Sequence, residues 1–307
     1  MTGAGGASAR GNFARAWSPG AWARAARDAV PPPALVLVGI VSVQLGAGIA
    51  KQLFAALPPA GVVTLRIVFA AVVVAAIGRP RLRGASRGDV GVALALGGAM
   101  TLMNFSIYQA FARIPLGIAV TIEFLGPLGV AIAGSRRRLD LLWVGLAGTG
   151  VLALSGGSAA VNFAGVAFAL LAAVGWGAYI LLSAATGQRF SGSSGLALAM
   201  LAASVLVLPV GIGAAGRELL QPEVLAIGAV VAVLSSVIPY TLELAALRRI
   251  PPKVFGILLS LEPAVAALIG LLLLGEVLGA VEWAAIFCVV IASAGATRAR
   301  HSAPPES

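Results

Sequence analysis

The sequence is dominated by a succession of apolar runs, each long enough to cross a bilayer and separated from the next by a few Gly, Pro or charged residues. About 20 apolar residues in helical form cover roughly 30 Å of hydrocarbon. Backbone polar groups in that layer must be satisfied internally, which leaves helices or closed barrels. Breaking the runs at Gly, Pro and charge clusters predicts ten helices, over 33–54, 60–78, 89–111, 115–134, 139–156, 162–184, 193–213, 223–246, 252–274 and 279–297. The chain has 307 residues, 60% hydrophobic and 10% charged, with a mean hydropathy of +1.01, so no large soluble domain fits beside them. The expected class is an all-α integral membrane protein with ten transmembrane helices.

The net charge of +10 does not point to nucleic acid, because the basic residues sit in small groups between apolar runs without an aromatic-interleaved patch. Cys288 and His301 are the sole residues of their types, which excludes an internal disulfide and argues against a Cys/His metal site. No cofactor is implied. Residues 1–32 read as a disordered basic arm, with no apolar core of the kind a cleaved signal peptide carries, and 298–307 as a short polar tail. If both termini share one side, seventeen Lys/Arg lie on that side, at 10–27, 79–87, 136–138, 189, 248–253 and 298–300. Arg113 and Arg217 lie on the other, so the positive-inside rule places both termini in the cytoplasm.

A shift of 136 residues lays "ARIPLGIAVTIEFLGPLGVAIAG" over "RRIPPKVFGILLSLEPAVAALIG". Arg113, Ile114, Pro115, Leu125, Pro127, Ala131 and Gly134 then match Arg249, Ile250, Pro251, Leu261, Pro263, Ala267 and Gly270. Two five-helix repeats are expected, over 33–156 and 157–297. An odd number of spans in each forces the second to be inverted relative to the first. Inverted repeats are the usual build of alternating-access transporters, whose sites lie near the midplane where the halves meet.

Ionisable groups at a helix centre cost about 2.5 to 3.5 kcal/mol on insertion scales, so each must face protein or water. At 1.5 Å per residue, Glu123 lies roughly 12 Å and Arg66 roughly 9 Å from the same end of their helices. Glu262 lies about 15 Å from the other end of its own, near the midplane. Lys51 and Glu243 are near helix ends, where snorkelling accounts for them. Pro127 cannot donate a hydrogen bond and presses on the carbonyl of Glu123, four residues earlier; Pro263 does the same to Leu259. Polar stripes recur at helical spacing: Gln44 and Lys51; Thr101, Asn104 and Tyr108; Trp176, Tyr179 and Ser183; Ser236, Tyr240 and Glu243. They would line a central cavity or join helices by hydrogen bonds. Gly117, Gly126, Gly129 and Gly134 are small residues that let helices approach closely. With no histidine in any predicted span, an intramembrane enzyme is not expected.

The stretches "VQLGAGIAKQLF", "TLRIVFA", "IPLGIAVTIEFLGPLGVAI", "LSSVIPYTLELAALRRIP" and "GILLSLEPAVAALIGLLLLGE" resemble those of the bacterial threonine/homoserine exporters, in the EamA branch of the drug/metabolite transporter superfamily. The resemblance runs from about Leu35 to Ala296. It implies a ten-helix inner-membrane carrier of two EamA repeats that exports small neutral amino acids, driven by the proton gradient. Glu123 would meet the substrate ammonium and Arg66, with Lys51, its carboxylate. Gln44, Asn104, Tyr108, Trp176, Tyr179 and Tyr240 would complete the substrate pocket. Glu123, or alternatively Glu262, would carry the coupled proton. A carrier of another metabolite or drug and a passive facilitator stay open, as does pairing into a homodimer.

Overall fold

The computed structural model describes residues 30–78, 85–133, 138–157, 162–190 and 194–299, and every described element is helical. The expected basic arm and the last residues of the tail lie outside the described residues. Thirteen helices follow in order: α1 (Pro32–Leu53), α2 (Pro59–Gly78), α3 (Arg87–Phe111), α4 (Leu116–Glu123), α5 (Leu125–Ala133), α6 (Arg138–Gly157), α7 (Phe163–Arg189), α8 (Ser194–Ala215), α9 (Pro222–Ala232), α10 (Ile238–Leu247), α11 (Pro252–Leu259), α12 (Glu262–Leu274) and α13 (Ala280–Ala299). The sequence predicts fewer because three predicted helices are each built from two pieces. α4 and α5 meet at Phe124, α11 and α12 at Ser260–Leu261, and α9 and α10 across a π turn, Val233–Val237.

Among the described residues, nine spans are long and apolar enough to cross a membrane, each broken pair counting as one. The predicted tenth, α6, is a helix whose apolar described stretch, Leu142–Val151, is shorter than the others. It runs antiparallel to α13: Trp143 lies over Gly295 near one end and Gly150 faces Ala285 nearer the other. Val72, Val174, Val205 and Leu272 stand exposed on the bundle surface, as lipid-facing residues do. The chain is a multi-pass membrane protein.

Local chemistry sets the helix ends. Ser86 and Asp89 form a reciprocal capping box at the start of α3, and the Asn162 carboxamide accepts from the amides of Ala164 and Gly165 to begin α7. Pro31, Pro115 and Pro251 precede α1, α4 and α11 with extended backbone, where a missing N–H costs nothing. The turns before α4 and α11 share one hydrogen-bond pattern. Arg113 and Ile114 donate to Ala110 O at 2.8 and 2.9 Å, and Arg249 and Ile250 donate to Ala246 O at 2.8 and 3.0 Å. α12 ends at Gly275, whose φ of 68° suits glycine, and the Glu276 amide turns back to Gly270 O at 3.0 Å.

Close helix crossings bring the elements together. A Cβ on Gly117 would lie 2.6 Å from Ala267 Cα, so α4 and α12 touch backbone to backbone. A Cβ on Gly126 would strike the Ala173 carbonyl of α7. Gly129, expected to act likewise, has nothing within 4 Å and faces an open apolar groove between α5 and α7. Gly134 lies outside the described residues.

Candidate functional site

The interruptions in α4–α5 and α9–α10 follow from proline. Pro127 has no amide for Glu123 O, so the helix stops at Glu123, turns at Phe124 and restarts, with Leu128 N–H bonded to Phe124 O at 3.2 Å. Pro239 likewise releases Ser235 O, four residues earlier, inside the π turn. That carbonyl accepts a long hydrogen bond from Arg66 Nη2 at 3.4 Å. Ser42 Oγ on α1 donates to the neighbouring Leu234 O at 2.8 Å and fixes the turn against the first helix. In the second repeat-like segment, the break falls at Ser260, the position matched to Phe124, and places Glu262 at the start of α12.

These interruptions surround two adjoining chambers. The smaller, about 110 Å³, is lined by Gln44, Ala47, Asn104, Ile107, Phe111, Val120 and Glu123. The larger, about 370 Å³, extends toward the end of the bundle where α1 begins and α13 finishes. Phe124, Leu128, Tyr179, Glu243, Leu259, Ser260 and Ser293 belong to its wall. Arg66, Met103, Trp176, Ser235 and Glu262 line both. Trp176 is held upright by an edge-to-face contact with Phe124, their ring centroids 5.2 Å apart.

Glu123 is 8% exposed, and its carboxylate has no hydrogen bond or ion pair among the described residues. A buried carboxyl in that position is either kept neutral by a proton or compensated by a cation, and Arg66 lines the same chamber. Glu262 Oε1 accepts from Gln44 Nε2 at 3.0 Å, while Gln44 Oε1 is buried without a partner. Asn104 Nδ2 donates to Met100 O at 2.8 Å on its own helix.

Arg66 lies with its guanidinium carbon 5.5 Å from the Tyr108 ring centroid and Nη1 3.5 Å from the phenol oxygen. Tyr108 is fully buried between Phe54 and Phe111, at centroid distances of 6.1 and 5.8 Å. It therefore forms the packed floor under Arg66, outside the chamber lining.

Lys51, expected beside Arg66, is held elsewhere. Its Nζ lies 2.6 Å from Glu276 Oε1 and donates to Ile114 O at 2.8 Å. Glu276 Oε2 accepts from Leu116 N–H at 2.7 Å at the start of α4, where a helix dipole favours an anion. Gln52 Nε2 adds a 3.2 Å bond to Leu273 O. This latch joins α1, the turn before α4 and the end of α12, at the end of the bundle opposite the larger chamber. The Tyr240 side chain lies outside the described residues.

Two participants are absent from the sequence expectations, Ser235 and the Lys51 partner Glu276, while Glu243 is expected both to snorkel at a helix end and to sit on a cavity-facing stripe. Glu243 lies on the Ser236–Tyr240–Glu243 stripe, so its periodicity was the available signal. Ser235 is signalled by Pro239 four residues on. Glu276 had none, because its partner is remote in sequence.

Membrane-length helices, two of them interrupted beside Glu123 and Glu262, around an internal cavity of these dimensions fit a membrane transporter. The model of the EamA-like transporter family matches residues 163–298. Threonine/homoserine exporters RhtA of Salmonella typhimurium (strain LT2) are 39% identical over 276 residues, and those of Escherichia coli K12 38% identical over 273. In each case 87% of this chain and 91% of the relative are covered. A crystal structure 18% identical in sequence superposes with a TM-score of 0.56, over 88% of this chain and 99% of its own, and shares the fold. The chain belongs to the EamA-like transporter family, in the drug/metabolite transporter superfamily, and is homologous to the RhtA exporters.

Proposed function

We propose that this transporter exports small neutral amino acids of the threonine and homoserine kind in exchange for protons, by alternating access. In this reading ten spans form two inverted halves, both termini are cytoplasmic, and the latched end faces outward. The observation that carries it is the smaller chamber, where a partnerless buried carboxylate, Glu123, and a guanidinium, Arg66, line one space next to a larger, mostly apolar cavity. An amino acid presents one cation, one anion and a side chain; the chamber offers the complement of each. The kinship with RhtA exporters supports the same choice.

The larger chamber then opens to the cytoplasm while the latch closes the outside, so this conformation is the loading state of an exporter. Substrate ammonium replaces the proton of Glu123 as the amino acid seats. After reorientation the substrate leaves outward and Glu123 takes a proton from outside. Both charges cannot occupy the one carboxylate together, and that exclusion couples the two fluxes. Gln44, Asn104, Trp176 and Tyr179 shape the pocket around the bound solute.

The test is efflux from proteoliposomes loaded with a labelled amino-acid panel. Saturable efflux of threonine and homoserine that competes with unlabelled homoserine supports the reading. Saturable transport of another solute that threonine does not inhibit points to a different metabolite, and non-saturating flux to a facilitator.

A further inference from the structure

Glu243 stands outside the substrate assignment, yet it is a half-buried carboxylate in the wall of the larger chamber. It folds against α1, where a Cβ on Gly39 would lie 3.8 Å from its Cγ, and it makes no ion pair or hydrogen bond among the described residues. A side chain that merely snorkelled would place its charge in bulk water. This one turns toward the cavity that Glu262 also lines.

Depth along the bundle puts three carboxylates in file. Counted at 1.5 Å per residue from the end where the larger chamber lies, Glu243 is about 6 Å in and Glu262 about 15 Å in. Glu123, about 10 Å from the opposite end of a roughly 30 Å layer, is some 20 Å in. Glu243 faces the larger chamber, Glu262 both, and Glu123 the smaller. Gln44, 2% exposed, lines the smaller chamber together with Glu123, bonds Glu262 through Nε2 and keeps Oε1 unpartnered. That buried acceptor without a donor marks a place where a proton-bearing group or water completes the network.

The charged surroundings are sparse. α10 packs on α1, whose Lys51 is committed to the distant latch, on the uncharged π turn, and on α11, whose Lys253 is absent from the chamber wall. Glu262 from α12, Arg66 from α2 and the Tyr179 phenol from α7 are the ionisable groups that share its chamber among the described residues.

We propose that Glu243 is the cytoplasmic-side station of a proton path that runs from Glu123 through Glu262 to the inner water. This rests on the proton-coupled reading of the Glu123 chamber. Each transfer leaves a carboxylate on the donor and a carboxylic acid on the acceptor. The last returns Glu243 to its anion and releases a proton into the larger chamber. Arg66 offsets one negative charge, so the path holds protons in transit without collecting three anions in one low-dielectric space.

Proteoliposomes containing Glu243→Gln, with a pH dye trapped inside, separate the roles. Exchange of labelled for unlabelled threonine at equal pH should stay within about 2-fold of the unmodified protein, because substrate meets Glu123. Efflux driven by a pH gradient, and the dye signal with it, should fall 10-fold or more. Glu243→Asp, which restores a carboxyl, should recover a good part of both. Full gradient-driven transport in Glu243→Gln overturns the proposal, as does an equal loss of exchange and driven efflux in a variant that folds. If Glu243→Gln is not recovered folded, Glu243→Asp decides alone: an unchanged rate and pH profile count against the path, and a slowed driven mode with intact exchange counts for it. Absence of gradient-driven efflux in the unmodified protein would instead refute the coupling on which the path depends.

Discussion

Opening the latched end requires Lys51 and Glu276 to part. The pair is 2.6 Å apart with side chains 20% and 15% exposed, and each partner makes a second bond to backbone, to Ile114 O and Leu116 N–H. Bonds to charged groups contribute about 1.5 to 3 kcal/mol each when sheltered. Partial exposure and the side-chain entropy of lysine reduce that, leaving about 2 kcal/mol in favour of the latched conformation. With tenfold per 1.4 kcal/mol, Lys51→Met shifts the equilibrium toward the other state by about 30-fold. Methionine keeps most of the apolar stem, so packing against α12 persists. A suitable reporter is Ile107→Cys in the smaller chamber, on a background where Cys288 is replaced by Ser, labelled by a membrane-impermeant thiol reagent applied from the latched side. The rate should rise by up to that factor in Lys51→Met and stay near the unmodified value in Lys51→Arg, which keeps a cationic donor for both Glu276 and Ile114 O. An unchanged rate would refute the latch, and so would equal acceleration from both sides, which signals general loosening.

Helix crossings give a sharper contrast between glycines. Gly117→Ala and Gly126→Ala place a methyl against Ala267 Cα and the Ala173 carbonyl, and should each lower thermal stability in detergent by about 1 to 3 kcal/mol, whereas Gly129→Ala should change it little. Arg66→Lys keeps the charge but loses the planar face over Tyr108 and the reach to Ser235 O, and should raise the KM for threonine efflux at least several-fold while leaving folding intact by size-exclusion profile.

Much of this arrangement can be read directly from residue order. Pro127, Pro239 and Pro263 each lie beside a helix interruption, because a missing amide acts at a fixed distance along the chain. The polar stripes carrying Gln44, Asn104 and Trp176 are visible for the same reason, since helical period converts spacing into a face. What escapes is long-range. The sequence cannot say that Lys51 reaches across to Glu276 instead of joining Arg66 at the chamber, because that partner lies far along the chain. Glu243, near a helix end, meets the criterion for snorkelling, and only the packing of α10 on α1 turns it toward the cavity. Gly126 and Gly129 look alike in sequence, yet three residues of helical rotation put one against α7 and the other over a groove. The π turn also depends on Ser42 of α1, which no local rule supplies.

The central claim, that one buried carboxylate alternates between proton and substrate, is tested most directly by threonine accumulation in vesicles that contain the transporter with its cytoplasmic face outward. With an interior more acidic than the medium, the protein should concentrate labelled threonine inside, and a protonophore should abolish the gain. Glu123→Gln, which carries no exchangeable charge, should not concentrate it at all. Accumulation by a properly folded Glu123→Gln equal to that of the unmodified protein would contradict the account.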